Sequence, residues 1–337
     1  MSLEDLTPYE RTAWQHSIDV LYSPARRAAI PAGVRRRVGG AASAVSGKVG
    51  GMPGAEAMRG VLENAFEGSL TLVFQPALRS TRPDAIVKRY AKRHPEVTAL
   101  SQVRQLPLQD RDAMRLPKFG YAAASAGQGA ATALAVTGAE VASTVTAGTT
   151  AAVAFGAMAV DSVASMAMMG RTIGAVATRY GYDVGLPDEE LFAMGVLSLG
   201  LARSVGAKTQ ALAALSRLTQ QMMRQASMQQ LNAHVLVRAI DKAYQLLGIK
   251  LTHRKLAQTV PFVGVGLNAA LSAQLTEQTF RRAQAVYRLR ALSETYGIDP
   301  QEWMAAAPPS LSDAAGAHDE PVVDVMQVLD AEGRADG

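Results

Sequence analysis

Two short stretches of the sequence resemble motifs that bind phosphate or activate a nucleophile, but both are incomplete. ASAVSGKV, residues 42–49, resembles a phosphate-binding loop, yet alanine replaces its first glycine and valine follows its lysine, where serine or threonine is required. AASAG, residues 123–127, resembles a nucleophile elbow whose first glycine is replaced by alanine. We therefore interpret the first stretch as a basic linker and the second as a helix-packing segment.

Residues that could support acid–base or metal chemistry are few and scattered. None of the five histidines belongs to an HExxH motif, so no metal site is predicted. Cysteine is absent, which excludes thiolate catalysis, disulfides and zinc–cysteine sites. Glu189 and Glu190 are adjacent carboxylates, but the first turn of a helix, where the dipole favours negative charge, accounts for them. We expect a non-enzymatic protein with no catalytic residue and no cofactor.

Asp161 ends a long apolar run, ten residues before Arg171. A buried carboxylate must be paired, hydrogen-bonded or protonated. We expect it to pair with a basic residue of a neighbouring helix, and we take Asp161, Arg171 and Tyr180 as a candidate buried polar site. A proton or ligand site at Asp161 is the alternative.

Residues 120–160 are rich in glycine and alanine, and Glu140 is their single charged residue. Small residues recur at four-residue spacing, a pattern that lets helix backbones approach closely. The residues concerned are Gly127, Ala131, Ala135, Gly148, Ala152 and Gly156. The halves flanking Glu140 are 19 and 20 residues long, near the length of about 20 that a membrane span needs, but Ser, Thr, Gln and Gly dilute them. We predict a helical hairpin that inserts marginally into a membrane, is buried in a helical domain, or switches between the two.

The net charge of +5 combines a basic body with an acidic C-terminus. Residues 307–337 contain seven acidic residues and one arginine, so residues 1–306 carry a net charge of +11. Between residues 191 and 276, nine lysines and arginines face one acid, Asp241. A basic body predicts anionic partners, which could be phospholipid headgroups, nucleic acid or the chain's own acidic tail.

Helical patterns and capping signals predict an all-α, multi-helix bundle. Thr7 and Glu10 form a capping box at the start of the first helix, and a helix opened by Pro261 ends at Gly297. Residues 106–118 are interpreted as a polar connector. Aromatic residues make up 5% of the chain, which favours small-residue helix packing over a sandwich or barrel.

We divide the chain into a helical domain, residues 1–306, and an acidic tail, residues 307–337. The domain contains a basic, Gly-rich connection at 25–54 and, at its centre, the Gly/Ala-rich hairpin. The tail is predicted to be disordered, although PVVDVMQVLD within it could form a short docking helix.

The order of these pieces resembles the EcsC family of bacterial proteins. The segments that carry the resemblance are TPYERTAW, the Gly/Ala-rich run ending in Asp161, RYGYDVGLPDEELFAMGVLSLG, GIKLTHRKLAQTVPFVGVGLNAALSAQ and RRAQAVYRLRAL. The resemblance implies a largely helical protein without an established reaction, in the cytoplasm or on the inner face of the membrane. The positions that match family-like motifs are Gly181, Pro187, Pro261, Gly264 and Gly266.

Together these features predict a membrane-associated, non-enzymatic protein that binds anionic phospholipid or supports a membrane transporter. The basic residues expected to face the membrane are Arg35, Arg36, Arg37, Arg254 and Lys255. Stacking aromatics are few, so nucleic acid is not the expected partner. The alternatives are a soluble cytoplasmic scaffold or adaptor whose hairpin is buried core, and an uncharacterised hydrolase at the membrane surface.

Overall fold

All regular secondary structure in the described part of the chain is helical, so the predicted all-α class is confirmed. The computed structural model describes residues 3–22, 70–116, 166–202, 204–224, 233–256, 265–305 and 322–335. Residues 70–78 begin with a π-helical turn, Leu70–Phe74, that continues as the α-helix Gln75–Leu78. The helices, in chain order, are α1 Pro8–Tyr22, α2 70–78, α3 Pro83–Tyr90, α4 Leu100–Val103, α5 Leu108–Ala113, α6 166–179, α7 Pro187–Leu201, α8 Val205–Met223, α9 Ala233–Leu256, α10 Val265–Tyr296, α11 Glu302–Ala305 and α12 Val325–Ala335.

The bundle is built around α7 and α10. Every residue of α7 from Glu189 to Leu201 is buried, and the helix packs against α8, α9, α10 and α12. A helix that is apolar all round is stable only when other elements cover it on every side. The 32-residue α10 also packs along α1. The N-terminal helix α1 is thus held by α10, and the C-terminal helix α12 by α7.

The capping box predicted at the start of α1 is present. The Thr7 hydroxyl accepts a bond from the backbone N–H of Glu10, and the Thr7 N–H donates to the Glu10 carboxylate. The apolar face of α1 is buried, with Trp14 2% exposed and Leu21 1% exposed. The main neighbour of α1 in the bundle is α10.

Two glycines, four residues apart, bring the backbones of α6 and α2 into contact. A Cβ atom at Gly174 would lie 2.1 Å from the carbonyl oxygen of Leu78, and one at Gly170 would lie 2.6 Å from that of Phe74. The contact has the small-residue spacing that the sequence predicts for residues 120–160. The hairpin itself lies outside the described residues, so its insertion into a membrane or its burial in the helical domain stays a prediction.

Helices α3 and α4 form a small unit, which we name the α3 unit, with its own apolar cluster on the edge of the bundle. The residues of this cluster are Ile86, Tyr90, Val97, Val103 and Leu106. Tyr90 fixes the unit to the bundle, because its hydroxyl donates a 2.8 Å bond to the carbonyl of Arg179. The structure also corrects the prediction of a connector at residues 106–118, because this segment contains the helix α5.

Over residues 322–335 the acidic tail is ordered, which corrects the prediction of disorder for this part of it. Asp324 caps α12 by accepting bonds from the backbone N–H groups of Met326 and Gln327. The other Asp324 oxygen pairs with Arg217 of α8, and Glu332 pairs with Arg238 of α9 at 3.3 Å. The valines of α12 are buried on one face of the helix. The alternative of a docking helix therefore holds for residues 322–335, and the basic body of the chain binds its own acidic tail.

None of the described helices is both long enough and apolar enough to cross a membrane. The division into a domain of residues 1–306 and a tail stays a prediction.

Candidate functional site

Most residues singled out from the sequence fall in parts of the chain whose side chains the structure does not describe. Outside the described residues lie the hairpin positions Gly127, Ala131, Ala135, Gly148, Ala152 and Gly156, together with Arg35, Arg36, Arg37, Asp161, Pro261 and Gly264. Arg254 and Lys255 lie on α9 and Gly266 lies on α10, in stretches where only the backbone is described. Predictions about these positions stay predictions.

Gly181 and Pro187 shape the turn between α6 and α7. Gly181 has φ of +90°, and the N–H groups of Gly181 and Tyr182 bond back to the carbonyls of Thr178 and Ala177. This pattern is a Schellman cap, which requires a left-handed residue that glycine supplies without strain. Pro187 occupies the first position of α7. Gly181 therefore ends α6, and Pro187 begins α7.

Tyr180 belongs to a cluster around Asp112, a residue that sequence reasoning did not select. Asp112 accepts hydrogen bonds from the Tyr180 and Tyr9 hydroxyls and pairs with Arg179 at 3.3 Å and Arg288 at 2.9 Å. Burial raises the pKa of Tyr180 to about 12, so the phenol remains a donor. The cluster joins α1, α5, the end of α6 and α10.

Arg171, predicted to share a polar site with Tyr180, lies far from it. The two residues are nine positions apart on and just after α6, which corresponds to about 13 Å along the helix axis. The structure therefore does not bring Arg171 and Tyr180 together, and their predicted partner Asp161 is outside the described residues.

Glu189 has a role that its place in a first turn does not explain. Arg290 of α10 donates to both its carboxylate oxygens, at 2.6 and 2.7 Å, with both side chains buried. The guanidinium also stacks between the rings of Tyr182 and Phe192, 4.0 and 4.4 Å from their centroids. Burial opposes the charge of Arg290, but the nearby carboxylates more than offset this and raise its pKa above its usual value.

Glu190, the next residue of α7, is held by a separate set of donors. Its carboxylate accepts bonds from Gln75 at 2.7 Å, from the Tyr244 hydroxyl at 2.8 Å, and from Arg79. The adjacent carboxylates therefore do not act as a pair. Each is fully bonded and anchors α7 to a different neighbour, Glu189 to α10 and Glu190 to α2 and α9.

A cleft of about 540 Å³ opens between the start of α1, the 104–111 segment and the end of α10. Its charged lining residues are Arg104, Arg111, Glu10 and Glu294. Glu294 is committed to Arg290 at 2.8 Å and to the Tyr182 hydroxyl at 2.9 Å. The Oε2 atom of Glu10 accepts bonds from the Tyr296 hydroxyl and from Thr7.

The arginines of the cleft are less committed than its carboxylates. Arg104 donates from Nε to the carbonyl of Gly181 at 3.0 Å, and its terminal nitrogens bond to no described residue. Arg111 is 2% exposed, and its buried Nε has no hydrogen-bond partner among the described residues. The cleft is therefore a candidate site for a ligand that supplies acceptors.

A second candidate is an exposed group of cations on the α3 unit, which we name the basic patch. Its members are Arg82, Lys88, Arg89, Lys92 and Arg93. None of them forms an ion pair or side-chain hydrogen bond with a described residue, and Asp84 is the one acid between residues 82 and 93. Within the described part of the chain, the patch therefore presents an unneutralised positive surface.

Sequence reasoning missed both candidates because it treated residues 106–118 as a connector and chose basic residues elsewhere. The signal for α5 was present, since Pro107 directly precedes the helix and Asp110 lies in its first turn. Nothing in the local sequence showed that Arg111 would be buried with no partner in the described part of the chain.

Comparison with known proteins adds one match. The family model described as the EcsC protein family matches residues 42–292. No curated protein and no solved structure matches the chain. The family match covers most of the chain, including α2 through most of α10, and leaves the tail helix outside. The chain belongs to the EcsC protein family.

Proposed function

We propose that this EcsC family protein is a non-enzymatic, peripheral membrane protein that binds anionic phospholipid through the basic patch. The observation that carries the proposal is the concentration, between Arg82 and Arg93, of five exposed cations that pair with no described residue. Exposed cations near an anionic membrane surface contribute about 1 kcal/mol each, so five contribute on the order of 5 kcal/mol. Binding of this strength is reversible and does not require a membrane-spanning helix.

The chemistry of the patch favours lipid headgroups over nucleic acid. Proteins that bind single-stranded nucleic acid stack bases on exposed aromatic rings. Tyr90 is the one aromatic residue between Arg82 and Arg93, and it is 3% exposed within the apolar cluster of the α3 unit. The patch therefore offers charge without a stacking platform, which suits phosphate groups on a surface.

The expected setting is the inner face of the membrane, where anionic lipids create a negative surface potential. Insertion of residues 120–160 and support of a membrane transporter remain predictions that the described residues do not test. The soluble scaffold and the membrane-surface hydrolase are the competing functions, and neither requires the basic patch to contact lipid.

Co-sedimentation with vesicles tests the proposal. The full-length chain should bind vesicles containing phosphatidylglycerol, bind phosphatidylcholine vesicles weakly, and dissociate as salt rises from 50 to about 500 mM because salt screens surface charges. Lys88→Glu with Arg89→Glu should reduce binding at least tenfold.

The control for this experiment is Arg224→Glu with Lys242→Glu. It changes the net charge by the same amount at exposed positions, one just after α8 and one on α9, and should retain most of the wild-type binding. If both double variants lose vesicle binding equally, net charge alone explains the loss, and the basic patch is not the binding surface.

A further inference from the structure

We propose that the cleft beside α10 binds the phosphate group of a small phosphate ester or of a phospholipid headgroup through Arg111 and Arg104. This site is separate from the basic patch, and its function does not depend on the patch.

The strongest observation is the state of Arg111. Its side chain is buried, yet its guanidinium forms no hydrogen bond with a described residue, and its Nε is out of reach of solvent. A buried polar group without a hydrogen bond is costly, and more so when it is charged. In the clusters around Asp112, Glu189 and Glu190, by contrast, each arginine has its carboxylate within bonding distance. Arg111 therefore stands out as a buried cation that lines an open cleft and has no acceptor among the described residues.

The carboxylates of the cleft do not neutralise Arg111 by contact. The hydroxyl of Tyr296 and the hydroxyl and N–H of Thr7 all bond to Oε2 of Glu10. Arg111 helps to lower the pKa of Glu10 electrostatically but forms no ion pair with it. Both oxygens of Glu294 are taken, one by Arg290 and one by Tyr182. No carboxylate that lines the cleft therefore forms a hydrogen bond with the Arg111 guanidinium.

Arg104 supplies a second set of donors to the same cleft. Its Nε is fixed to the carbonyl of Gly181, and its guanidinium lies 4.9 Å from the centroid of the Tyr182 ring. These contacts orient the side chain, while its terminal nitrogens bond to no described residue. One guanidinium can satisfy the two oxygens of a carboxylate, whereas a phosphate has a third oxygen for a second guanidinium. Two arginines with open donors therefore match a phosphate better than a carboxylate.

The size and lining of the cleft fit a small molecule. Its volume of about 540 Å³ lies within the range of roughly 300–1,000 Å³ that is typical of small-molecule sites. Leu106, Pro107 and Ala291 provide apolar wall between the charged groups. An ester with a short organic part, such as a glyceryl group, could place its phosphate on the arginines and its carbon atoms on this wall.

Calorimetric titration of the full-length chain with glycerol 3-phosphate, at constant ionic strength, tests the site. We expect saturable binding that weakens at least tenfold in Arg111→Met and in Arg104→Met. Arg115→Met, which removes an exposed arginine from the next turn of the chain, should bind like the wild type. Thermal unfolding monitored by circular dichroism identifies any variant that fails to fold. If neither arginine variant folds, saturable binding of glycerol 3-phosphate by the wild type is the result that tests the site.

The remaining arms identify the ligand's chemistry and source. Acetate and glycerol at the same concentration should not compete with glycerol 3-phosphate, and competition by acetate equal to that by phosphate would overturn the phosphate assignment.

Binding to phosphatidic acid vesicles identifies the source of the phosphate. If Arg111→Met also loses this binding, the cleft takes a lipid headgroup, and if it keeps that binding, the cleft takes a soluble ester. No saturable binding of either source by the wild type would overturn the proposal. The Lys88→Glu/Arg89→Glu variant should keep its affinity for glycerol 3-phosphate, which separates this site from the membrane-binding proposal.

Discussion

Arg290 donates hydrogen bonds of 2.6 and 2.7 Å to the two carboxylate oxygens of Glu189, and both side chains are almost completely buried. The pair joins the first turn of α7 to the last third of α10, the two helices around which the bundle is built. Taking both charges out of water is costly, so the net stability that the pair contributes is smaller than its short hydrogen bonds alone would suggest.

Removing one partner of this pair should destabilise the protein strongly. Arg290→Met leaves Glu189 buried without its cation, and we expect the free energy of unfolding to fall by about 3–5 kcal/mol. Adding Glu189→Leu should restore part of the loss, because the uncompensated charge is then gone. Urea unfolding of the two single variants and the double variant measures the coupling.

The control for this cycle is Arg281→Met. Arg281 pairs with Glu277 on the surface of the same helix, where both side chains are about half exposed. Its loss should cost no more than about 0.5 kcal/mol. A cost for Arg290→Met as small as that for Arg281→Met would show that the buried pair does not hold α7 to α10.

Gly174→Ala should destabilise the contact between α6 and α2. The new Cβ would lie 2.1 Å from the backbone oxygen of Leu78, and a backbone atom cannot move aside without shifting its helix. We expect a loss of about 3 kcal/mol in the free energy of unfolding, at the upper end of overpacking costs.

Gly333→Ala is the matched substitution, since Gly333 lies on α12 and no described atom is within 4 Å of the place that a Cβ would occupy. Alanine is a better helix former, so this change should stabilise the protein by up to about 1 kcal/mol. If the two variants unfold alike, α6 and α2 do not approach as closely as described.

The tail helix should contribute to the stability of the whole chain. Leu329 is 1% exposed against the body, so Leu329→Ala should lower the free energy of unfolding by about 2–5 kcal/mol. Gln327→Ala, an exposed change on the same helix, should alter it by less than about 0.5 kcal/mol. Chemical denaturation measures both variants. If the tail is detached in solution, Leu329→Ala should change the free energy of unfolding as little as Gln327→Ala does.

Glu10 should make stability depend on pH in the acid range. Burial opposes ionisation of Glu10, but the hydrogen bonds from Tyr296 and Thr7 outweigh it and lower the pKa below the ordinary value of 4.5. A lowered carboxylate pKa stabilises the folded state above pH 4.5, and this stabilisation is lost as pH falls through the folded-state pKa. Tyr296→Phe should therefore cost about 1–2 kcal/mol at pH 7 and progressively less below pH 4.5.

Tyr22→Phe provides the comparison for this pH series. The Tyr22 hydroxyl donates to the backbone carbonyl of Trp303 at 3.2 Å, an acceptor that does not titrate. Its cost should stay constant between pH 7 and pH 3 in urea unfolding. Parallel pH profiles for the two variants would show that Glu10 is not held ionised by Tyr296.

Local signals in the sequence predicted the helical elements well wherever a side chain acts on its own backbone. The Thr7–Glu10 capping box, the left-handed Gly181 and the end of α10 at Gly297 all follow from contacts within a few residues, and all are present. The six residues of α5 are too few for an apolar period to show, so Pro107 before the helix and Asp110 in its first turn are its only local signals.

The pattern of charges in the sequence could not reveal which ionic groups are buried. The dipole at the first turn of a helix accounts for Glu189 and Glu190 in the sequence, yet in the structure both carboxylates are buried and bonded to long-range partners. The composition of the tail likewise predicts disorder, but residues 325–335 form a helix because α8 and α9 provide a surface against which its apolar face packs.

The sequence by itself determined that the chain is helical, that it lacks cysteine chemistry, that it has a basic body with an acidic tail, and that it resembles the EcsC family. These properties depend on composition, residue order and contacts between near neighbours. Only the tertiary structure decided that Arg290 meets Glu189, that Asp112 gathers two arginines and two tyrosines, and that Arg111 lines a cleft with no acceptor among the described residues. Those relationships join residues about 70 to 180 positions apart or depend on how several helices enclose one side chain, and no local rule of spacing specifies them.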